Sequence, residues 1–253
     1  MAARRLPTEP TKAGFSKGQV NRAGALLLDL SARMARDGAE RGVAESDEAE
    51  LANAWDALTW WRSLHAYPLS TVAANLRYHV DRSGGRVRGR IEVTQRLKRM
   101  DTLIGKLARE PGSVTRMQDI GGVRAVLPNL QHVYAVRRRL LKSWVIIRER
   151  DYIAQPKESG YRALHLIVRR KGCPIEVQLR TIAQDVWANG VEEVSREHGL
   201  GLKFGVGDPR ALGLLAANAE QLARFDRGEI SPDELQAALR ETANIGAKEP
   251  DPG

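Results

Sequence analysis

The sequence predicts an α+β (mixed α/β) protein: a mixed, mainly antiparallel sheet of about five strands flanked by helices, with helical extensions at both the N- and C-terminal sides. Three observations carry this. Apolar residues recur at three- and four-residue steps before residue 80 and again after residue 182. Between these stretches, short runs alternate apolar and polar residues. Glycine and proline turns divide the runs from one another.

The elements follow in order. Leu26, Leu27, Leu30, then Leu51, Trp55, Leu58 and Trp61 place helices over Gln19 to His79. Tyr67-Pro68 is expected to break one helix before another starts at Ser70 or Thr71. That break puts Arg62 and His65 near a helix end, a place that suits a structural role as well as a contact with a ligand. Arg90 to Arg109 reads as a helix with an apolar stripe of Leu97, Met100, Ile104 and Leu107. Lys98, Thr102, Lys106 and Arg109 form a second, basic stripe on it.

Ile120 to Leu127 reads as a strand, Asn129 to Lys142 as a helix and Trp144 to Arg148 as a strand, a β-α-β unit. Tyr161 to Arg169 and Ile175 to Arg180, joined over Lys171-Gly172-Cys173-Pro174, read as an antiparallel hairpin. Helices follow over Ile182 to Arg196, Pro209 to Phe225 behind an Asp208 cap, and Pro232 to Thr242 behind a Ser231 cap.

Composition narrows the partners. The 253 residues hold 40 Lys and Arg against 31 Asp and Glu, a formal charge of +9, which favours an anionic partner such as a nucleotide or RNA. The single cysteine, Cys173, cannot close an intramolecular disulfide, so no oxidising compartment is required and a cytoplasmic location is expected. The first residues are charged and broken by proline, without the apolar core of a signal peptide. The apolar stretch Ala23 to Leu30 is too short to span a bilayer, so no membrane insertion is expected.

Candidate chemistry lies on the last strand and just before the first. Alternation puts Glu176, Gln178 and Arg180 opposite Ile175, Val177 and Leu179. Tyr161, Ala163 and His165 would share a face of the preceding strand, where pairing could bring Tyr161 and His165 beside Glu176. Alternation alone is equally satisfied by a solvated sheet face. Asp119 precedes two glycines, and a lone loop aspartate commonly caps or solvates. Paired with Glu176 it could instead hold magnesium, which takes one or two carboxylates and completes its shell with phosphate oxygens. There is no GxxxxGK[ST] loop, no HExxH and no paired-cysteine zinc spacing, so phosphate binding must rely on side chains.

Four pieces then stand in order: Arg96-x-Lys98-x-x-x-Thr102-x-x-x-Lys106-x-x-Arg109; Asp119-Ile-Gly-Gly-Val-Arg124; Asp151-Tyr-Ile-x-x-Pro-Lys157-x-x-Gly160-Tyr161-Arg-x-x-His165; and Glu176-Val-Gln178-Leu-Arg180-Thr181. Each is weak alone. Together, over Arg90 to His198, they resemble the RelA/SpoT synthetase domain. The upstream Trp-Arg-Ser-x-His-x-Tyr-Pro-Leu, Ser159 before Gly160-Tyr161-Arg162, and Trp187-Ala-x-x-Val-Glu192 look most like the toxic small alarmone synthetases of toxin–antitoxin and phage-defence systems.

The resemblance implies the RelA/SpoT synthetase, nucleotidyltransferase-like fold and an ATP-dependent pyrophosphokinase, a diphosphotransferase moving the β,γ-diphosphate of ATP to a ribose 3′-hydroxyl with release of AMP. It implies that Arg96 and Arg124 sandwich adenine, that Lys98, Thr102, Lys106 and Arg109 hold the triphosphate, and that Asp119 and Glu176 hold Mg2+. Glu176 would also take the hydroxyl proton. Tyr161 would stack on the acceptor base, Lys157, His165 and Arg180 would meet its phosphates, and Gln178 would support them. The acceptor is expected to be the tRNA 3′-CCA end, giving a growth-inhibiting toxin, or a guanine or adenine nucleotide, giving the alarmones (p)ppGpp or (p)ppApp. Basic charge tips the expectation toward tRNA. An antitoxin or immunity protein, and a homo-oligomer such as the tetramers of small alarmone synthetases, would accompany it. The expected organisation is a flexible tail over 1–18, a helical extension over 19–80, the pyrophosphokinase domain over 81–205, helices over 206–247 and a disordered tail over 248–253.

Overall fold

The computed structural model describes residues 14–37, 45–83, 91–110, 112–197 and 206–247. The tails expected over the first residues and over 248–253 lie largely or wholly outside them. Helices α1 (Lys17–Asp37), α2 (Glu45–Ser63) and α3 (Ala66–Asp81) precede strand β1 (Glu92–Leu97) and helix α4 (Met100–Arg109). A single 3₁₀ turn (Val114–Arg116) leads to β2 (Gly121–Leu127), α5 (Leu130–Ser143), β3 (Ile146–Asp151), β4 (Leu164–Arg170) and β5 (Cys173–Thr181). Helices α6 (Ile182–Glu197), α7 (Pro209–Asp226) and α8 (Pro232–Ala247) complete the described chain. The five strands form one mixed sheet in the order β1-β2-β5-β4-β3. The expected fold class is thus the observed one, and the β2-α5-β3 unit is split by the β4–β5 hairpin. Lys171 and Gly172, with φ of 49° and 81°, supply the two positive-φ positions of that hairpin's tight turn.

Three expectations are corrected. The helix predicted from Arg90 to Arg109 is a strand followed by a helix: Glu92–Leu97 is β1, and α4 starts at Met100. Val93 and Thr94 are β-branched and fit a sheet edge, whereas Leu97 to Leu107 only imitates continuous helical spacing. Arg90 itself lies outside the described residues, and Lys98 stands on the connection rather than on a helical stripe. Second, α3 begins at Ala66, so Tyr67 and Pro68 open a helix and the break falls at Leu64-His65. Proline is harmless there because first-turn amides have no intrahelical acceptor. Third, β4 begins at Leu164, so Tyr161 precedes the strand and shares no strand face with His165; Ala163 is fully buried.

The chain divides into two compact units. The first draws on Met1–Asn75, Thr94–Val123 and Ile167–Glu176. Its core joins Val20, Ala23 and Leu27 of α1, Ala54, Ala57 and Leu58 of α2, and Leu103 and Leu107 of α4 to Val114, Met117 and Ile120. The spacings of three and four along α1 and α2 make these single helical faces. Trp55, read from the sequence as part of the stripe, is 48% exposed. The second unit draws on Leu76–Val93, Arg124–Leu166 and Val177–Gly253. There Trp187, Ala188 and Val191 of α6 pack on Ala219 of α7, with Tyr161, Leu212, Leu215 and Leu222 around them. The Asp208 cap of α7 forms as expected, its carboxylate accepting from the Arg210 amide at 3.0 Å. Ser231 and Glu234 exchange hydrogen bonds as a capping box on α8. Among the described residues, no helix is long and apolar enough to cross a membrane.

Candidate functional site

In the first unit a carboxylate sits between two ammonium groups. Asp119 lies just before β2, and its Oδ2 accepts from Lys98 Nζ at 2.7 Å and from Lys106 Nζ at 2.9 Å. Lys98 comes from the β1–α4 connection and Lys106 from α4, so the β1-to-helix switch is what brings both to one oxygen. All three side chains are mostly buried, at 17%, 23% and 19% exposure for Lys98, Lys106 and Asp119. Burial works to raise the Asp119 carboxyl, but the charge and hydrogen bonds of Lys98 and then Lys106 outweigh it and hold the group below the ordinary range. Burial likewise works to lower Lys106. Its hydrogen bond to Asp119 and the charges of Asp119, Glu110 and Glu176 outweigh that and hold it above its ordinary value.

The other carboxylate oxygen, Asp119 Oδ1, is buried and has no hydrogen-bond partner. A buried acceptor left unmatched is costly, and a water, an ion or a ligand could complete its shell. Glu176 on β5 is half-buried and close enough to act on Lys106 by charge. Two carboxylates near two lysines suit Mg2+ carried on a polyphosphate better than a cage of protein ligands. Among the described residues, no group of three or more His, Cys, Asp or Glu is arranged to hold a metal. Thr102 and Arg109 are exposed on α4, Thr102 against the Asp101 carboxylate, with its amide 2.7 Å from Asp101 Oδ1. Arg96 is exposed on the edge strand β1.

The second unit holds an aromatic cluster laced with cations. Tyr161 Oη and His165 Nε2 are 2.6 Å apart, and Arg180 Nη2 donates to Tyr161 Oη at 2.9 Å and to Gln178 Oε1 at 2.9 Å. The Arg180 guanidinium also lies 5.3 Å from the Tyr161 ring centre, as does Lys157 Nζ. Lys157, His165, Gln178 and Arg180 thus gather round Tyr161. Arg180 is 7% exposed, so at that position the alternative of a solvated sheet face does not apply.

Several residues here were not singled out from the sequence. Tyr152 packs its ring against His165 at 5.2 Å and lies under Lys157 at 4.9 Å. Asp185 on α6 accepts from both Arg124, at 3.0 Å, and Arg180, at 3.2 Å. Arg124 reaches Asn189 Oδ1 as well, at 3.2 Å. The signal available was the Asp185–Asn189 spacing of four on one helix, which is common on any surface helix. Arg162, next to Tyr161, donates to the carbonyls of Gly160 and Ala219 at 3.2 Å and to Glu220 at 2.7 Å. Gly160 has φ of 84°, and a Cβ there would lie 2.6 Å from that of Ala219. The loop bearing Tyr161 is therefore fastened to α7, and only glycine fits the point of closest approach.

Comparison with known proteins places these clusters in context. A family described as a region found in RelA / SpoT proteins matches residues 95–196. The chain is similar to the GTP pyrophosphokinase YjbM of Bacillus subtilis (strain 168), with 32% identity over 167 residues, covering 58% of this chain and 75% of that protein. A GTP pyrophosphokinase family protein from Streptococcus pneumoniae is 28% identical at a TM-score of 0.55, covering 72% of this chain and 98% of that one. The small alarmone synthetase 1 from Bacillus subtilis bound to its product pppGpp shares the fold at a TM-score of 0.57 and 22% identity, covering 72% of this chain and 99% of that chain.

Proposed function

Because this chain belongs to the RelA/SpoT family, we propose that it is a small alarmone synthetase that moves the β,γ-diphosphate of ATP to the 3′-hydroxyl of GDP or GTP and releases AMP. The observation that carries this reading is Asp119: two lysines share one of its oxygens while the other is buried without a partner. A polyphosphate entering there offers the lysines better acceptors than a shared carboxylate, and frees Asp119 to bind a cation.

Lys98 and Lys106, with Thr102 and Arg109, hold the phosphates. Asp119 and Glu176 would hold Mg2+, which when bound neutralises charge on the β- and γ-phosphate oxygens. Glu176 takes the proton of the attacking 3′-hydroxyl as the new O3′–Pβ bond forms and the bond from Pβ to the oxygen kept by AMP breaks. Arg96 and Arg124 each offer a guanidinium plane suited to stacking on adenine, Arg124 being oriented by Asp185 and Asn189. Tyr161 stacks on the acceptor base, with Arg180 and Gln178 fixing its hydroxyl. Lys157, His165 and Arg180 meet the acceptor phosphates.

A nucleotide acceptor replaces the tRNA expectation as the main reading because two similar proteins of Bacillus subtilis, YjbM and YwaC, are named GTP pyrophosphokinases. A second reading, transfer to the tRNA 3′ end by a toxin restrained by a partner protein, keeps one observation in its favour, the formal charge of +9. Purified protein with γ-labelled ATP and Mg2+ separates them when GDP, GTP, unlabelled ATP and deacylated tRNA are offered in parallel. Label on GDP or GTP is the expected result. Label on tRNA alone would establish the second reading, and label on no acceptor would refute both.

A further inference from the structure

Arg62 lies in the last turn of α2, outside the residues that match the family. Its Nε donates to the carbonyl oxygen of Lys98 at 2.8 Å. Lys98 is thereby held at three points, because its amide also donates to the Ile120 carbonyl at 2.8 Å and its Nζ to Asp119 at 2.7 Å. Residue 98 belongs to neither β1 nor α4, so no continuing ladder fixes its carbonyl. A lysine ammonium rides on a flexible four-carbon stem, and where it can reach is decided by where its backbone is anchored. A charge-assisted bond from a planar guanidinium is a strong anchor of this kind.

The corner between α2 and α3 is itself seated against the same site. A Cβ at Gly121, two residues after Asp119, would lie 2.8 Å from Ile175, 3.6 Å from Leu69 and 3.7 Å from the His65 Cβ. The chain at 121 therefore runs within van der Waals reach of this corner, and its tightest approach is to the Ile175 side chain on β5. His65, 1% exposed, fixes the corner through Nδ1 and the Trp61 carbonyl, 3.0 Å apart. Cys173 Sγ donates to the Leu64 carbonyl at 3.5 Å.

We propose that Arg62 is a positioning residue for ATP, holding the Lys98 backbone so that its ammonium meets the phosphates; this rests on the ATP-binding role given above to Lys98. Arg62 touches no substrate and acts through Lys98. It gives the N-terminal helices a part in nucleotide binding as well as in the core.

The test is the Kd of a non-hydrolysable ATP analogue with Mg2+, measured by calorimetry on the full chain, together with the KM values for ATP and for GDP. Arg62→Ala is expected to weaken the analogue and raise the KM for ATP about tenfold, the scale of one hydrogen bond to a charged group. The KM for GDP stays within twofold. Arg62→Gln, which keeps an N–H donor without the charge, recovers part of the loss. An unchanged Kd in Arg62→Ala, a parallel rise of both KM values, or a Gln variant no better than Ala would overturn the proposal. If Arg62→Ala fails to fold, Arg62→Gln and Arg62→Lys decide, since a Kd equal to wild type in both would overturn it equally. The Kd needs no acceptor, so wild-type protein that binds the analogue but transfers nothing would refute the proposed activity and leave this test standing.

Discussion

The two clusters are both rich in positive charge, but different physics holds them. Around Asp119 the cations are ammonium ions paired to a carboxylate, mostly out of water, with a buried oxygen to spare. Around Tyr161 the cations lie on aromatic rings, Arg180 pairs with the Asp185 carboxylate as well as with neutral oxygens, and the ring hydroxyl is fixed by Arg180 and His165. The first arrangement suits a ligand of high charge density and sets no shape preference beyond distance. The second presents a flat surface whose orientation is set. A donor that is mostly triphosphate and an acceptor that must present one hydroxyl in line would call for this division.

The largest expected effect breaks the chemistry without breaking either cluster. Glu176→Gln should lower kcat about 10²–10⁴-fold, the usual worth of a positioned general base, while a non-hydrolysable ATP analogue still binds. Single-turnover label transfer beside calorimetry checks this, and near-normal turnover would remove Glu176 from the reaction.

The next pair of substitutions sharpens the comparison directly. Tyr161→Ala should raise the KM for the acceptor roughly 10–100-fold, the range of losing one base–aromatic stack, with the KM for ATP little changed. Lys106→Ala should do the reverse. Repeating both titrations from 50 to 300 mM KCl should give a steep loss of affinity for ATP and a shallower one for the acceptor. Equal salt slopes would mean that the two clusters do not differ as their geometry suggests.

A stability measurement comes next. Leu103 on α4 is fully buried beneath the Lys106 turn. Leu103→Ala should cost about 2–5 kcal/mol in urea unfolding.

The smallest expected effect is a pH slope. Burial lowers the His65 pKa, partly opposed by its bond to the Trp61 carbonyl. Below its unfolded value of about 6.5 the unfolded chain gains a proton that the folded chain refuses, so this term of stability is lost as pH falls toward 5. His65→Asn should flatten the fall in unfolding free energy between pH 7.5 and pH 5. An unchanged slope would show that another group causes it.

Much of this architecture can be read from the chain because period and cap chemistry agree. The β5 run Ile175, Val177, Leu179 is buried at every second residue, and Asp208 and Ser231 start α7 and α8 as their side chains dictate. Strand β1 could not be read in this way. It is a six-residue edge strand with no regular alternation of burial, and Leu97 falls three residues before Met100, so the helical period runs on past the true boundary. The site divides similarly. Lys98, Lys106 and Asp119 stand in spaced motifs, and the structure brings them together. The bonds of Asp185 to Arg124 and of Arg62 to Lys98 have no local signal, because they span 61 and 36 residues and only the fold closes that distance.

The fastening of the Tyr161 loop to α7 has a consequence for how this chain can vary. On α7 the acceptors are largely main-chain oxygens, that of Ala219 for Arg162 of the loop and that of Leu215 for the indole of Trp187 on the neighbouring α6, at 3.2 and 3.0 Å. No point substitution deletes a carbonyl. Of the acceptors on α7 only the Glu220 carboxylate can be lost by a point substitution, whereas inserting or deleting one residue before Leu215 would turn the helix by about 100° and carry both main-chain oxygens away from their donors. Length, more than composition, is what this part of the chain has to conserve.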